Sequence, residues 1–600
     1  MCGVFFTNSK ISSKSSEVSA SLLMRGPNDT KILKEKEYLM QFTRLSIRDL
    51  ANGSQPYLSN DANNISAING ELYNEEFVKN QLRIEESFVP TGDMQILSEY
   101  LINDISNLKY VEGMFAGFIY NKVKQKIIFF RDSVGEKPLY YYHFNGAITI
   151  SSTVSAIIEN FDRSNFHLNA DSLYKGHSNP GETIFTEVKE VLPGHYLEFD
   201  LKLNNLEITR YYEWPKRKFN YTKYEFKSKF TETLIHAAEN TTISDVPICM
   251  LLSGGLDSAG VLAALNTFSV SPIPAFTLAF ENQTYDESAL AYLSAKSLGS
   301  RHRIIHLSNK ELATNISKML IDLDTPILDP AYLPVYFLTN KIKNDFGFTV
   351  AVTGDGGDEL FRGYELYKIR KKINLVNSFT VNFTSSILLN VLKLLTFESS
   401  NRNSINFLFN RLGTVLQNQK IPWNETALSP FAGTELFEQL IQNNAQISSE
   451  RIRPRKISSE NIENYYSHEI LPQVYLKKSD NGSMANGVEL RIPYLHKSMI
   501  DFGYAISGKT LESNPHKWLL KEFLRDRVPH KILDQPKRGF SVPLSGVLSN
   551  IPEPKWTLNS LNLSPELCNA IWHRACNGDG NAARAAYGIM VLNSYLQRYT

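Results

Sequence analysis

Cysteine is scarce in this chain: Cys2, Cys249, Cys568 and Cys576 are the only four in 600 residues. No CxxC pair occurs among them, which excludes a disulfide scaffold and a Cys-pair zinc ribbon. A reducing compartment fits this usage. Excess charge of one sign is missing too, since 63 Lys+Arg against 62 Asp+Glu leaves a formal +1. Such a balance gives no reason to expect a nucleic acid or other polyanion as partner. The opening MCGVFFTNSK has no basic n-region and only a short apolar run, so no signal peptide is expected. Long apolar stretches are absent. The nearest approach, residues 379–397, carries Asn382, Asn390 and Lys393. It reads as a packed amphipathic helix, because a span needs about twenty mainly apolar residues. A cytoplasmic protein without membrane insertion is expected. What is present, 42% hydrophobic and 21% charged residues, is ordinary globular usage, and the length allows several domains with cores of their own.

Residues 1–200 read as rich in short strands, separated by turn signals at Asn52-Gly53, Asn69-Gly70, Asn145-Gly146 and Pro193-Gly194. Only 94–108 suggests a long helix there. A basic, aromatic stretch around Tyr211, Tyr212, Trp214 and Pro215 reads as a connection. Beyond it apolar strand patterns at 246–252, 273–280, 304–307 and 348–352 alternate with helix-length segments. That alternation predicts a parallel, doubly wound sheet. Residues 369–468 read as mainly helical and polar.

Three short motifs carry chemistry. Ser253-Gly254-Gly255-Leu256-Asp257-Ser258 follows a buried strand and opens a helix. Its glycines allow close backbone approach to a phosphate, and the helix start supplies free N–H groups. Asp257 can hold a divalent cation. No GK[ST] follows, so this is not a Walker loop. Thr353-Gly354-Asp355-Gly356-Gly357-Asp358-Glu359 also follows a buried strand, and doubly wound sheets bind ligands at such strand ends. Alone it could be an acidic surface turn; beside the first loop it suits a Mg²⁺–polyphosphate site. Third, Cys2 becomes an N-terminal nucleophile if Met1 is removed, with its own α-amine as base.

The serine–glycine loop resembles that of ATP pyrophosphatases. Together with Arg25-Gly26-Pro27, Arg44-Leu45-Ser46-Ile47, Asn69-Gly70-Glu71, Gly92-Asp93, the 131–140 stretch, Ser483-Met484-Ala485, Glu489-Leu490-Arg491 and Lys537-Arg538-Gly539-Phe540, the chain resembles the glutamine-hydrolysing asparagine synthetases, class II amidotransferases, from Cys2 to about Pro543. The resemblance implies an α+β N-terminal-nucleophile glutaminase sandwich followed by an α/β doubly wound parallel-sheet ATP-pyrophosphatase domain with helical additions. The expected boundaries are 2–205 for the glutaminase, 206–225 for a linker, 226–545 for the synthetase and 546–600 for a C-terminal extension.

It also implies roles. Cys2 would attack the glutamine amide, with Asn69 and Gly70 as the oxyanion hole; Arg44 would take the substrate α-carboxylate, and Glu71 and Asp93 its α-ammonium. ATP would lie on Ser253, Gly254, Gly255, Asp257, Ser258, Thr353 and Gly354, with Leu252 and Leu278 near the adenine. Asp257 and Asp358 would hold Mg²⁺, Asp355 would act at the activated acyl group, and Lys537 would steady the adenylation transition state. The implied partners are glutamine, ATP and aspartate or another small carboxylate, in a protein compatible with a homodimer. Asn481, His496, Arg362, Met94, Gln95 and Thr325 depart from the family's usual Arg, Asp, Gly, Thr, Glu and Glu. These departures keep open an acceptor other than aspartate, such as a uronic acid. β-Lactam- or peptide-cyclising relatives usually lack the N-terminal cysteine kept here, and an inactive scaffold would be expected to have lost Cys2, Asp257 or Lys537. Cys568, His573 and Cys576 lie close in sequence but lack a fourth zinc ligand; packing is expected of the tail.

Overall fold

The computed structural model describes residues 2–9, 18–82, 91–217, 223–282, 284–364, 367, 429–431, 434–436, 439, 459–535, 542–558, 561 and 563–599. Lys537, the 379–397 segment and most of 369–468 therefore lie outside the described residues. Among those described, no helix is long and apolar enough to cross a membrane.

The first half is built on two six-stranded antiparallel sheets stacked face to face. Cys2–Thr7 shows why its sequence is almost wholly apolar. Successive side chains of a strand point to opposite faces. Val4 and Phe6 enter the core between the sheets, with Phe42, Phe118 and Phe129. Phe5 faces the other way, against Leu22 and Ala156 on the helices Ala20–Arg25 and Val154–Glu159. The second sheet is covered on its outer face by the helix Asp93–Asn103, through Ile96, Leu97 and Tyr100. Where the central strands are buried on both faces, as in Cys2–Thr7 and Leu39–Arg44, alternation of apolar and polar residues disappears, and helices flank a sandwich.

Asn205–Arg210 is a strand, paired along its length with His195–Asp200 at the edge of the second sheet. The expected linker at 206–225 thus starts too early. The strand reads as loop because its side chains are mostly exposed and polar, so burial imposes no period-two pattern. Downstream, Trp214 is buried against His468 and Tyr504, and Arg217 donates to Glu463 at 2.5 Å and to the Leu360 carbonyl. The connection is docked on the second half.

That half holds a five-stranded all-parallel sheet in the spatial order His302–Leu307, Ala275–Phe280, Ile248–Leu251, Val350–Val352, Glu489–Arg491. The fifth strand is not visible as a strand in the sequence: three residues, one of them a fully buried arginine. The C-terminal helices Pro565–Cys576 and Gly580–Tyr599 are part of the largest apolar core rather than an appendage. Tyr595 donates to the Asp324 carbonyl at 3.0 Å, and Tyr599 reaches Ser155 of the first domain at 2.6 Å. Cys568 is buried in that core, and among the described residues no group of three metal-ligating side chains forms.

Candidate active sites

The sandwich brings Cys2, Asn69 and Gly70 together from two sheets. Register places Cys2 opposite Arg44, while Asn69 and Gly70 lie on the strand Asn64–Leu72 of the other sheet. The Cys2 N–H donates to Asn69 Oδ1 at 2.7 Å. At the other end of that amide, Asn69 Nδ2 is buried with no hydrogen-bond partner. A buried, unpaired donor costs about 1–3 kcal/mol. Burial pushes the Cys2 thiol above its ordinary value, with Arg44 and a Leu45 backbone hydrogen bond acting against that. A thiol held neutral needs a base.

Gly70 sits at φ +155, where a Cβ would come within 2.1 Å of the Met114 carbonyl on the paired strand. Gly70→Ala must therefore push the two strands apart or twist the peptide that follows Asn69, in the wall of the pocket that Cys2 also lines. It is expected to cost about 1–3 kcal/mol of stability, read as a lower Tm, and to depress hydrolysis of an amide substrate at Cys2.

Around Cys2 a pocket is lined by Arg44, Arg48, Gln55, Glu71 and Asp93. Arg44 is sewn to the following loop, donating to the carbonyls of Asp49 at 2.7 Å, Arg48 at 3.2 Å and Leu50 at 3.4 Å. Asp93 Oδ2 accepts from the Leu72 N–H at 3.0 Å and from Arg48 at 3.1 Å. Burial raises the Asp93 carboxyl despite Arg48. Glu71 meets Arg491 of the second domain at 3.0 Å. The same fully buried guanidinium takes Glu489 at 2.6 Å and the carbonyls of Thr241 and Ile243. One cation shared by two buried carboxylates divides them. Burial pushes Glu71 up; against burial, the amino-terminal charge, Arg491 and Lys137 hold Glu489 down.

A second interdomain network stands nearby. Arg25 forks onto Asp480 at 2.6 and 3.1 Å. Glu190 binds Arg131 at 2.7 Å within the first domain and Lys477 and Gln473 of the second. Several departures from the family pattern are packed into this boundary. Asn481 accepts from the Asp324 N–H and donates to the Lys477 carbonyl. His496 stacks on Tyr73 and caps the helix Lys497–Ala505 through Nδ1, the job an Asp would do. Burial holds its imidazole neutral, down to about 3, as a capping acceptor requires. Thr325 is buried with Oγ1 unpartnered.

In the second domain the two glycine loops meet backbone to backbone. Gly255 precedes the 13-residue helix Leu256–Phe268, and Ser253 Oγ accepts the Gly255 N–H at 3.2 Å while pairing with Ser258 Oγ at 2.9 Å. A Cβ on Gly354 would lie 2.6 Å from the Ser258 nitrogen, and one on Gly357 2.6 Å from Asp257 Oδ1. The glycines thus let the loops close together. Asp257 and Asp358 then converge on a single ammonium, that of Lys517, which pairs with both. Asp355 accepts from Thr353 at 3.1 Å and lies 3.5 Å from Ser479 Oγ. Leu252 and Leu278 are both buried, and the Leu252 N–H donates at 2.8 Å to the Phe276 carbonyl on the strand Ala275–Phe280 that carries Leu278.

Arg48, in the Cys2 pocket, and Lys517, between the two glycine loops, are residues that the sequence motifs did not reveal. Lys517 precedes the apolar helix Trp518–Leu524 at φ +54, an uncommon backbone for a lysine. That strain has no signature in the sequence.

The comparisons with known proteins agree with this layout. A glutamine amidotransferase domain family matches residues 1–212. Asparagine synthetase [glutamine-hydrolyzing] 1 of Bacillus subtilis is 27% identical, over 89% of this chain and 84% of that protein. A putative asparagine synthetase of Mycobacterium tuberculosis is 25% identical, over 84% of this chain and 79% of its own length. Amidase chyE of Penicillium rubens is 29% identical over 54% of this chain and 51% of its own. The asparagine synthase family itself matches residues 229–584, more than half the chain. With an amidotransferase sandwich in front of a parallel sheet whose two glycine loops share a cation, the chain belongs to the asparagine synthase family.

Proposed function

We propose that this protein transfers ammonia from glutamine to an ATP-activated carboxylate, aspartate being the acceptor that its relatives' names favour. The observation that carries the first half is Asn69, which holds the Cys2 nitrogen with its carbonyl and keeps a buried amide N–H without a partner. Once Met1 is removed, that nitrogen is an amine with a pKa of about 7.7–8.0. It takes the Sγ proton as sulfur bonds to the glutamine carbonyl carbon, then gives it to the departing ammonia. Asn69 Nδ2 and the Gly70 N–H receive the negative oxygen. Water releases glutamate from the thioester. Arg44 and Asp93 are assigned to the two charged ends of the substrate.

In the second domain the acceptor carboxylate attacks the α-phosphorus of ATP, pyrophosphate leaves, and ammonia displaces AMP from the acyl group. Ser253, Gly254, Gly255, Ser258, Thr353 and Gly354 are assigned to the phosphates, and Asp355 to the acyl group and incoming ammonia. Leu252 and Leu278 keep their adenine assignment only as a proposal. The meeting of Asp257 and Asp358 on one ammonium supports a cation at this point, and these two would hold Mg²⁺. Bound there, Mg²⁺ would neutralise charge on the leaving phosphates. Lys537 keeps the transition-state role that the resemblance implies.

A second acceptor is favoured by one observation: Thr325, where the family pattern has Glu, leaves a buried hydroxyl without a partner. The test uses purified protein with ATP, Mg²⁺, glutamine and a panel of carboxylates, following pyrophosphate and the amide product by mass spectrometry. Aspartate is expected to drive pyrophosphate release and to yield asparagine. Glutamine hydrolysis with aspartate untouched would overturn that acceptor, while failure to hydrolyse glutamine would overturn the amidotransferase reading.

A further inference from the structure

The glutamine pocket contains a cation of its own. Arg48 follows the Arg44-Leu45-Ser46-Ile47 stretch and folds back into the pocket, its side chain only 15% exposed. One guanidinium nitrogen lies 3.1 Å from Asp93 Oδ2, 3.1 Å from the Leu72 carbonyl and 3.7 Å from Glu71 Oε2. The other nitrogen pairs with Glu75. Glu75 has a second cation, Lys79 at 2.5 Å. Asp93 has none but Arg48 among the described residues.

A substrate α-ammonium that seeks Asp93 therefore meets a carboxylate already in an ion pair. It must share that carboxylate with a like charge at hydrogen-bonding range, and like charges this close repel strongly where water is partly excluded. The guanidinium has little freedom to withdraw, because its fork is fixed at three points. By contrast, nothing in this arrangement weakens recognition of the amide at Cys2 or of the substrate's carboxylate end.

We propose that Arg48 is a specificity-determining residue of the glutamine site: a resident cation that makes the pocket read the α-ammonium weakly. The pocket thereby takes ω-amides of dicarboxylic acids whether or not they carry a charged α-amine. The inference rests on the reading of the Cys2 pocket as a glutamine site.

The test compares kcat/KM for ammonia release from glutamine and from glutaramate, which is glutamine without its α-amine. Wild type, Arg48→Lys, Arg48→Gln and Arg48→Met are measured, and thermal melts establish that each variant is folded. Gln and Met remove the charge in different ways, so one misfolded variant leaves the other to decide. The expected result is a preference for glutamine over glutaramate that rises about ten-fold in the uncharged variants, through a lower KM for glutamine. Arg48→Lys should keep the wild-type preference. An unchanged preference in Arg48→Gln and Arg48→Met overturns the proposal. So does an equal loss on both substrates, which would mean that Arg48 holds the carboxylate they share. If wild type hydrolyses neither amide, the glutamine-site reading itself fails and this proposal falls with it; wild-type activity with an unmoved ratio defeats the proposal alone.

Discussion

Cys2→Ala is expected to lose glutamine-driven amide synthesis by a factor on the order of 10⁴ or more, while synthesis from added ammonium salt continues. The physical ground is that the two chemistries share no protein side chain: only the ammonia passes from one to the other, and added ammonium can replace it. Cys2 lies at the junction of the sandwich sheets, held through its nitrogen by Asn69, whereas Asp257 and Asp358, assigned to the ATP site, sit on loops of the parallel sheet. The substitution removes one sulfur from a small buried side chain. It leaves the hydrogen bond to Asn69 Oδ1 intact, because that bond uses the backbone nitrogen. The expected structural cost is correspondingly small, well within the range of a single large-to-small change in a core. Glutamate release, pyrophosphate release and amide formation should be measured in parallel, with glutamine and with ammonium as nitrogen source. Loss of both activities in a folded variant would refute a two-site mechanism. Survival of glutamine-driven synthesis would show that Cys2 is not the nucleophile.

The separability of the two sites also explains what could be read from the sequence and what could not. The Ser253 and Thr353 loops were legible because each follows a strand buried on both faces, which appears as a continuous apolar run, and because glycines mark the point where backbones must touch. The structure supplies that contact, with Gly354 against Ser258 and Gly357 against Asp257. Asn69-Gly70 was legible for a similar reason: at φ +155 a Cβ would lie 2.1 Å from a neighbouring carbonyl, so any other residue there is strained. Asn205–Arg210 was not legible, since an exposed edge strand has no buried face to impose a pattern. Neither was the fifth strand, Glu489–Arg491, whose two charged residues are buried as an ion pair, with Glu71 of the first domain on the same guanidinium. The role of Arg48 was hidden because its charge reads like that of any loop arginine until Asp93, Glu71 and Glu75 are seen around it. Lys537, whose role the resemblance implies, lies outside the described residues.

Lys517 is the strongest case of a residue that only the fold reveals, and Lys517→Met is expected to slow pyrophosphate release by about 10²–10³-fold at saturating ammonia. Its ammonium pairs with Asp257 on one glycine loop and Asp358 on the other, and its side chain is 7% exposed. Holding a lysine at φ +54 costs free energy, and the His516 ring beside it is tied to the Arg362 carbonyl at 2.8 Å. A cation in that position can answer charge that gathers on phosphate oxygens as pyrophosphate leaves. A purely structural role is the competing account: the lysine would only keep two carboxylates from repelling one another. The two accounts separate experimentally. A spacer role predicts a lower Tm for Lys517→Met that Mg²⁺ restores, with kcat restored alongside. A role toward the phosphates predicts that kcat for pyrophosphate release stays low at saturating ATP and Mg²⁺, even where the Tm recovers. Glutamine hydrolysis at Cys2, measured in the same preparation, should remain in either case, because Lys517 contacts none of the residues around that thiol. An unchanged rate of pyrophosphate release would remove Lys517 from the reaction altogether.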